Sequence, residues 1–212
     1  AIYDKTITDK NCLDCHSNPD LKTIRDGKTV SLFVDNNKHE NSVHKDEPCV
    51  KCHFDTHADT DSLCKDPAAL AEHLKTSGNE VNSVCKKLQP VNCASCHDQE
   101  VIAYQTGIHG KLAVKKDLDA PNCLTCHGKH DILSKKEPAS ATFALNIPNL
   151  CAKCHQDGEE SAIRKTASQT HILQNYSMSI HGEGAKKSGL SVSANCASCH
   201  THHKVSPATD PE

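Results

Sequence analysis

Apolar and polar positions alternate irregularly along most of this chain, and only a few short stretches stand out from that background. Lys28-Thr-Val-Ser-Leu-Phe-Val-Asp35 alternates with β-branched residues between Asp26-Gly27 and Asn36-Asn37, which predicts a strand. No other stretch matches it as a partner, so it is expected to pair with little. Asp66-Pro67, then Ala-Ala-Leu-Ala-Glu-His-Leu-Lys and Gly78, predicts a short helix with an aspartate cap, a proline in its first turn and a glycine stop. Over 98–108 and 159–180 the apolar positions approach helical spacing, with Ile163, Ala167, Leu173 and Ile180 in the second stretch, and glycines follow both. The expected fold class is mainly α with much irregular structure and little β. No apolar run reaches the roughly 18 residues a membrane span needs.

Cysteine and histidine punctuate this background with a fixed rule. Cys-x-x-Cys-His occurs at Cys12, Cys15 and His16, at Cys49, Cys52 and His53, and at Cys93, Cys96 and His97. It recurs at Cys123, Cys126 and His127, at Cys151, Cys154 and His155, and at Cys196, Cys199 and His200. This is the signature of covalent c-type haem attachment, in which two thiols form thioethers to the porphyrin edge and the next histidine binds the iron. Zinc knuckles or a disulfide framework would not require histidine after every second cysteine. Six covalently attached haems are therefore expected, and they change the picture of the core. A chain with 3 % aromatic and 36 % hydrophobic residues, the latter counting fourteen cysteines, buries little by itself. The expected fold is haem-cored, and the haem-free chain is expected to be unfolded or loosely collapsed.

The motifs come in a repeated order. Two attachment sites flank a histidine, and another histidine follows the second site: His44 and His57 in the first copy, His109 and His130 in the second, His181 and His203 in the third. Copies two and three also share a tyrosine, Tyr104 and Tyr176, five residues before the histidine. This predicts three tandem two-haem units, at 1–60, 91–135 and 151–205. Between them lie a helical insertion at 61–90 and a linker at 136–150 containing Pro138 and Pro148, with a tail at 206–212. Cys64 and Cys85 belong to no motif. A disulfide between them would close the insertion and contribute about 3 kcal/mol.

Six irons with two histidines each account for twelve ligands. The expected metal ligands are His16, His53, His97, His127, His155 and His200 on one side and His44, His57, His109, His130, His181 and His203 on the other. His202 competes with His203, whose spacing from its motif matches that of His130. His39 competes with His44, where a ligand from a neighbouring subunit also stays open. Met178 is a weaker candidate than His181, and His73 is expected on the solvent face of its helix. A histidine three or four residues beyond a motif sits on the wrong side of its own porphyrin plane, so His57, His130 and His203 are expected to serve neighbouring haems. The two helical stretches are expected to carry the chain from a haem to a histidine at the helix end.

With every axial position filled, no iron is open to substrate, so the expectation is electron transfer with no catalytic residues. The alternative, a reductase of a small nitrogen or sulfur oxyanion, needs an open haem. The formal charge of −3 becomes about −9 with six ferric haems and about −15 when all are ferrous, counting both propionates. That argues against nucleic-acid binding. Lysine pairs at 86/87, 115/116, 135/136 and 186/187 could offset propionates or simply be solvated. An oxidising, extracytoplasmic location fits this chemistry, as does an Ala1 start left by removal of a secretory signal.

The run Tyr176 to Gly182, its partner Tyr104 to Gly110, and Ala120-Pro121-Asn122-Cys123 leading into Cys-His-Gly-Lys-His-Asp-Ile resemble the doubled Cys-x-x-Cys-His multihaem cytochromes of anaerobic metal- and sulfur-respiring prokaryotes. Val-Ser-Leu-Phe-Val-Asp followed by Ser-Val-His resembles the leading unit of the same family. The resemblance implies bis-histidine, low-potential haems in an extracellular or periplasmic protein. Its partners would be redox proteins or extracellular electron acceptors. Some similar members polymerise end to end into filaments, and others are periplasmic carriers or subunits of quinol-linked membrane complexes. The first unit departs from the pattern, with no glycine after His44 and three residues between His53 and His57.

Overall fold

The computed structural model describes residues 7–25, 27–54, 90–159, 161 and 170–206. The predicted helix at 66–78, the proposed Cys64–Cys85 bridge, His57, His73 and the tail from 207 lie outside the described residues. The chain divides into two units, 1–95 and 96–212.

In the first unit α1 (Asp9–His16) carries the first attachment motif, and α3 (Cys49–Cys52) carries most of the second. Asp9 ties them together: its Oδ1 accepts from the backbone N–H of Cys49 at 2.8 Å. Between them lie the antiparallel strands β1 (Lys22–Arg25) and β2 (Lys28–Ser31), in register Lys22 to Ser31, and the short helix α2 (Asn36–Glu40). The strand expected over 28–35 therefore has a partner after all, and it is shorter. Gly27, just before β2, sits at φ 73°, the positive φ that a tight hairpin turn needs. The freed segment Leu32–Val34 turns back to the first motif, where the Val34 N–H donates to the His16 carbonyl at 2.7 Å.

The second unit is helical: α4 (Asp98–Thr106), α5 (Ile108–Val114), α6 (Cys123–His127), α7 (Ile147–His155), α8 (Ile172–Met178), α9 (Ile180–Ser188) and α10 (Cys196–His200). Neither of the two expected helices runs unbroken to its histidine over its described residues, since each breaks just before it. The chain turns at Gly107 and at Ser179, so His109 and His181 are second residues of new helices. Pro148 also differs from its expected place in a linker, since it occupies the first turn of α7. A proline there sacrifices no hydrogen bond, because the first N–H groups of a helix have no intrahelical acceptor.

Repeated contacts build both breaks. α4 packs on α5, and α8 on α9. Tyr104 donates its hydroxyl to Pro121 O at 2.8 Å and Tyr176 donates to Ala194 O at 3.1 Å, in each case two residues before the next motif cysteine. Gly110 and Gly182 are buried where the paired helices cross. A Cβ at either position would lie 2.1 Å from the carbonyl oxygen of Tyr104 or Tyr176. The glycine after the histidine is a close-approach residue, whereas the sequence pattern had suggested a helix stop.

Very little side-chain core supports these elements. Among the described residues the buried hydrophobic side chains are Val50 and Ala152, while Leu118, Val192, Ile180 and Val114 are 98 %, 89 %, 78 % and 75 % exposed. Burial on this scale falls far short of the conformational entropy of ordering the chain.

Candidate functional site

Three of the attachment motifs share a local device at their start. In each an asparagine directly before the first cysteine accepts from the backbone at the start of the turn. Asn122 Oδ1 receives the N–H groups of Leu124 and Thr125 at 3.0 and 3.2 Å. Asn195 Oδ1 receives that of Ala197 at 3.0 Å, and Asn92 Oδ1 that of Ala94 at 3.1 Å. Thr125 and Ser198 return the contact, each hydroxyl oxygen accepting from the asparagine N–H at 3.1 Å. Asparagine is a strong N-cap. One capped turn of helix puts both cysteines and the histidine on adjacent positions of a short, fixed scaffold.

Three of the six motif histidines are oriented by their Nδ1 atoms. His16 Nδ1 lies 2.6 Å from Leu32 O, His200 Nδ1 lies 3.0 Å from Ser206 O, and His155 Nδ1 lies 3.1 Å from Ser161 Oγ. With Nδ1 donating to these oxygens, Nε2 keeps its lone pair and faces away from the scaffold. That is the tautomer and orientation a metal-ligating imidazole adopts. The β-hairpin thus has a purpose, since it delivers Leu32 to His16.

Two further histidines stand opposite motif histidines. The ring centroids of His109 and His155 are 6.2 Å apart at an interplanar angle of 41°, and those of His127 and His203 are 6.1 Å apart at 23°. Two metal–imidazole bonds of about 2.0 Å, plus roughly 1.1 Å from each nitrogen to its ring centre, give about 6.2 Å for trans ligands on one metal. Burial pushes the His109 ring below the usual histidine range, with His155 adding to the effect. His127 is lowered by burial first, then by His203 and His97. Both shifts favour the neutral ring, the form that can ligate a metal.

The thiols also meet across motifs. Cys49 donates a hydrogen bond to Cys12, lowering Cys12 to about 7 and raising Cys49. Cys151 does the same for Cys196, which falls to about 7 while Cys151 rises. Burial raises Cys126, and Cys154 raises it further. In the second unit a shallow apolar depression is lined by Cys151, His155 and Cys196 together with Pro148, Leu173 and Tyr176. In chemistry this lining fits the expected group: two thiols for thioether attachment, an imidazole for the iron and apolar side chains for a porphyrin edge.

The remaining expected ligands are placed as follows. His44 is half-buried, and its backbone N–H donates to Ser42 Oγ at 3.1 Å. His130 and His181 are exposed, as are His202 and His203, while His39 is half-buried. Met178 is 72 % exposed. His171, which the repeat does not select, pairs through Nδ1 with Asp157 Oδ2 at 2.5 Å, and its N–H donates to Asp157 Oδ1 at 2.9 Å. Among the described residues no group of three or more histidine, cysteine or acidic side chains forms a metal cluster, and no helix is long and apolar enough to cross a membrane.

Sequence reasoning missed the capping asparagines, Asp9 and the approach of Lys204 to Gly107. The first had a visible signal, since asparagine precedes the first cysteine in four motifs. Comparison with family models, with curated proteins and with solved structures finds no match.

Proposed function

We propose that this chain is a hexahaem c-type cytochrome of the doubled Cys-x-x-Cys-His kind, carrying electrons outside the cytoplasm of a prokaryote. Covalently bound haem supplies one-electron exchange at iron. The observation that carries the reading is the pair of opposed histidines at 6.1 and 6.2 Å, each pairing a motif histidine with one from outside the motifs.

The chain's residues divide the work. Twelve motif cysteines provide thioether attachment. Leu32, Ser206 and Ser161 fix three of the motif imidazoles through Nδ1, and the second histidines would hold the iron together with the motif imidazoles. With two imidazoles on each iron no position would be left for substrate, which favours electron passage over catalysis. The contact between Cys12 and Cys49, and that between Cys151 and Cys196, bring attachment edges together within the first and third copies. Such proximity suits transfer from one group to the next. Assembly into an end-to-end filament is one form this function takes, and a discrete carrier is the other.

The test is optical. Purified from a host that attaches c-type haem, the protein should show six low-spin haems, and carbon monoxide added to the reduced form should leave the Soret band unmoved. A carbon monoxide shift in the unaltered protein would favour the reductase reading.

A further inference from the structure

We propose that copies two and three exchange their distal ligands. His109 serves the haem held by Cys151, Cys154 and His155, and His203 serves the haem held by Cys123, Cys126 and His127. The inference rests on the haem reading above and specifies it. Neither histidine is assigned to the attachment site nearest to it in sequence. His109 lies between the third and fourth motifs yet faces His155 of the fifth, and His203 follows the sixth motif yet faces His127 of the fourth.

One backbone junction holds both histidines in place. After α10 the chain makes a tight loop, with Thr201 at φ 60°. The Ser206 N–H donates to His200 O, and the Ser206 carbonyl lies 3.0 Å from His200 Nδ1. The tip of this loop then docks on the start of α5, where the Ile108 N–H donates to Val205 O at 2.9 Å. His203 sits two residues before that contact and His109 one residue after it. Gly107 makes the docking possible, because a Cβ there would lie 2.6 Å from the backbone carbonyl carbon and oxygen of Lys204.

This accounts for a difference between the copies. At the equivalent break the third copy has Ser179, which caps α9 by accepting from the Gly182 N–H at 3.2 Å. The second copy gives up that cap and carries glycine, and the Ile108 N–H takes its partner from the loop. The Cys126 and Cys154 thiols, one from each attachment site, lie near enough to interact electrostatically. The fourth and fifth sites are thus adjacent, and each draws its distal ligand from the other copy. The fourth and fifth haems form a clasp that neither copy completes alone.

The experiment uses the full holoprotein. His109→Ala and His203→Ala should each open one haem, read as about one carbon monoxide bound per reduced molecule, while His202→Ala should open none. Assignment to a particular iron comes from a background lacking the fifth haem, Cys151→Ala with Cys154→Ala. There His109→Ala should add no carbon monoxide site, and His203→Ala should still add one. If His109→Ala adds a site in both backgrounds, or if His203→Ala leaves every haem low-spin, the exchange is overturned although the protein remains a cytochrome. A density map of the unaltered holoprotein tests the same assignment without any variant. Density joining the iron at His155 to His109, and the iron at His127 to His203, supports the exchange, and any other histidine in either position overturns it. A preparation with no covalent haem overturns the functional reading itself and is recognised beforehand by its spectrum.

Discussion

Gly110→Ala perturbs the ligand geometry without touching a ligand. The added Cβ would lie 2.1 Å from Tyr104 O and 2.6 Å from the Cα of Gln105, both backbone atoms that no rotamer change can move. To reach a tolerable 3.0 Å the crossing must open by about 0.9 Å, which is close to half of an iron–imidazole bond of about 2.0 Å. His109 is the adjacent residue, so the helix that opens is the one that aims its ring. Overpacking of this kind costs about 1–3 kcal/mol. If that cost falls on the ligated arrangement, the equilibrium between bound and released imidazole shifts by roughly 5- to 150-fold. The assay is carbon monoxide titration of the reduced variant beside a thermal melt. The expected result is partial opening of one haem with lowered stability. Gly189→Ala is the control: its Cβ meets nothing within 4 Å, yet φ is 62°, so it should cost about 1 kcal/mol and open no haem. A Gly110→Ala protein with unchanged stability and no carbon monoxide site would show that the crossing does not position His109.

Three other outcomes are expected. Asn122→Ala and Asn195→Ala should each lower stability by about 1 kcal/mol through loss of the cap, with the haem count unchanged; a chemical denaturation series on holoprotein measures this, and loss of a haem would contradict the purely structural role. Tyr104→Phe and Tyr176→Phe each remove one hydrogen bond to backbone and should cost about 0.5–1.5 kcal/mol in the same series, equal effects being expected from their equivalent places in the repeat. The chain made without haem should show no cooperative melt by circular dichroism, because Val50 and Ala152 are the buried hydrophobic side chains among the described residues; a native-like apoprotein would sink the idea that haem supplies the core.

What could be read from the sequence follows from how local each feature is. The six motifs and the repeat of spare histidines are local spacings, so they needed no fold. The mainly helical character was equally legible. The helix breaks were misread because periodicity runs straight through Gly107 and Ser179; what interrupts it is a crossing held by Tyr104 and Gly110, or Tyr176 and Gly182, a contact between helices. The glycine after each histidine looked like a stop for the same reason. Strand β1 was overlooked because Lys22–Arg25 is short and charged at both ends, although Asp26-Gly27 is a hairpin signal that could have raised it. The pairing of His109 with His155 and of His203 with His127 spans tens of residues and depends on a backbone carbonyl, that of Val205, which carries no sequence identity. Gly107 in place of the serine found in the third copy was the one trace of it in the sequence.

The central claim, six covalently bound haems on one chain, is tested most directly by the intact mass of the protein purified from a host that matures c-type cytochromes. The account predicts the polypeptide plus six haem groups, with all twelve motif cysteines resistant to alkylation after reduction. A mass equal to the bare chain, or motif cysteines that take up the alkylating reagent, would contradict it.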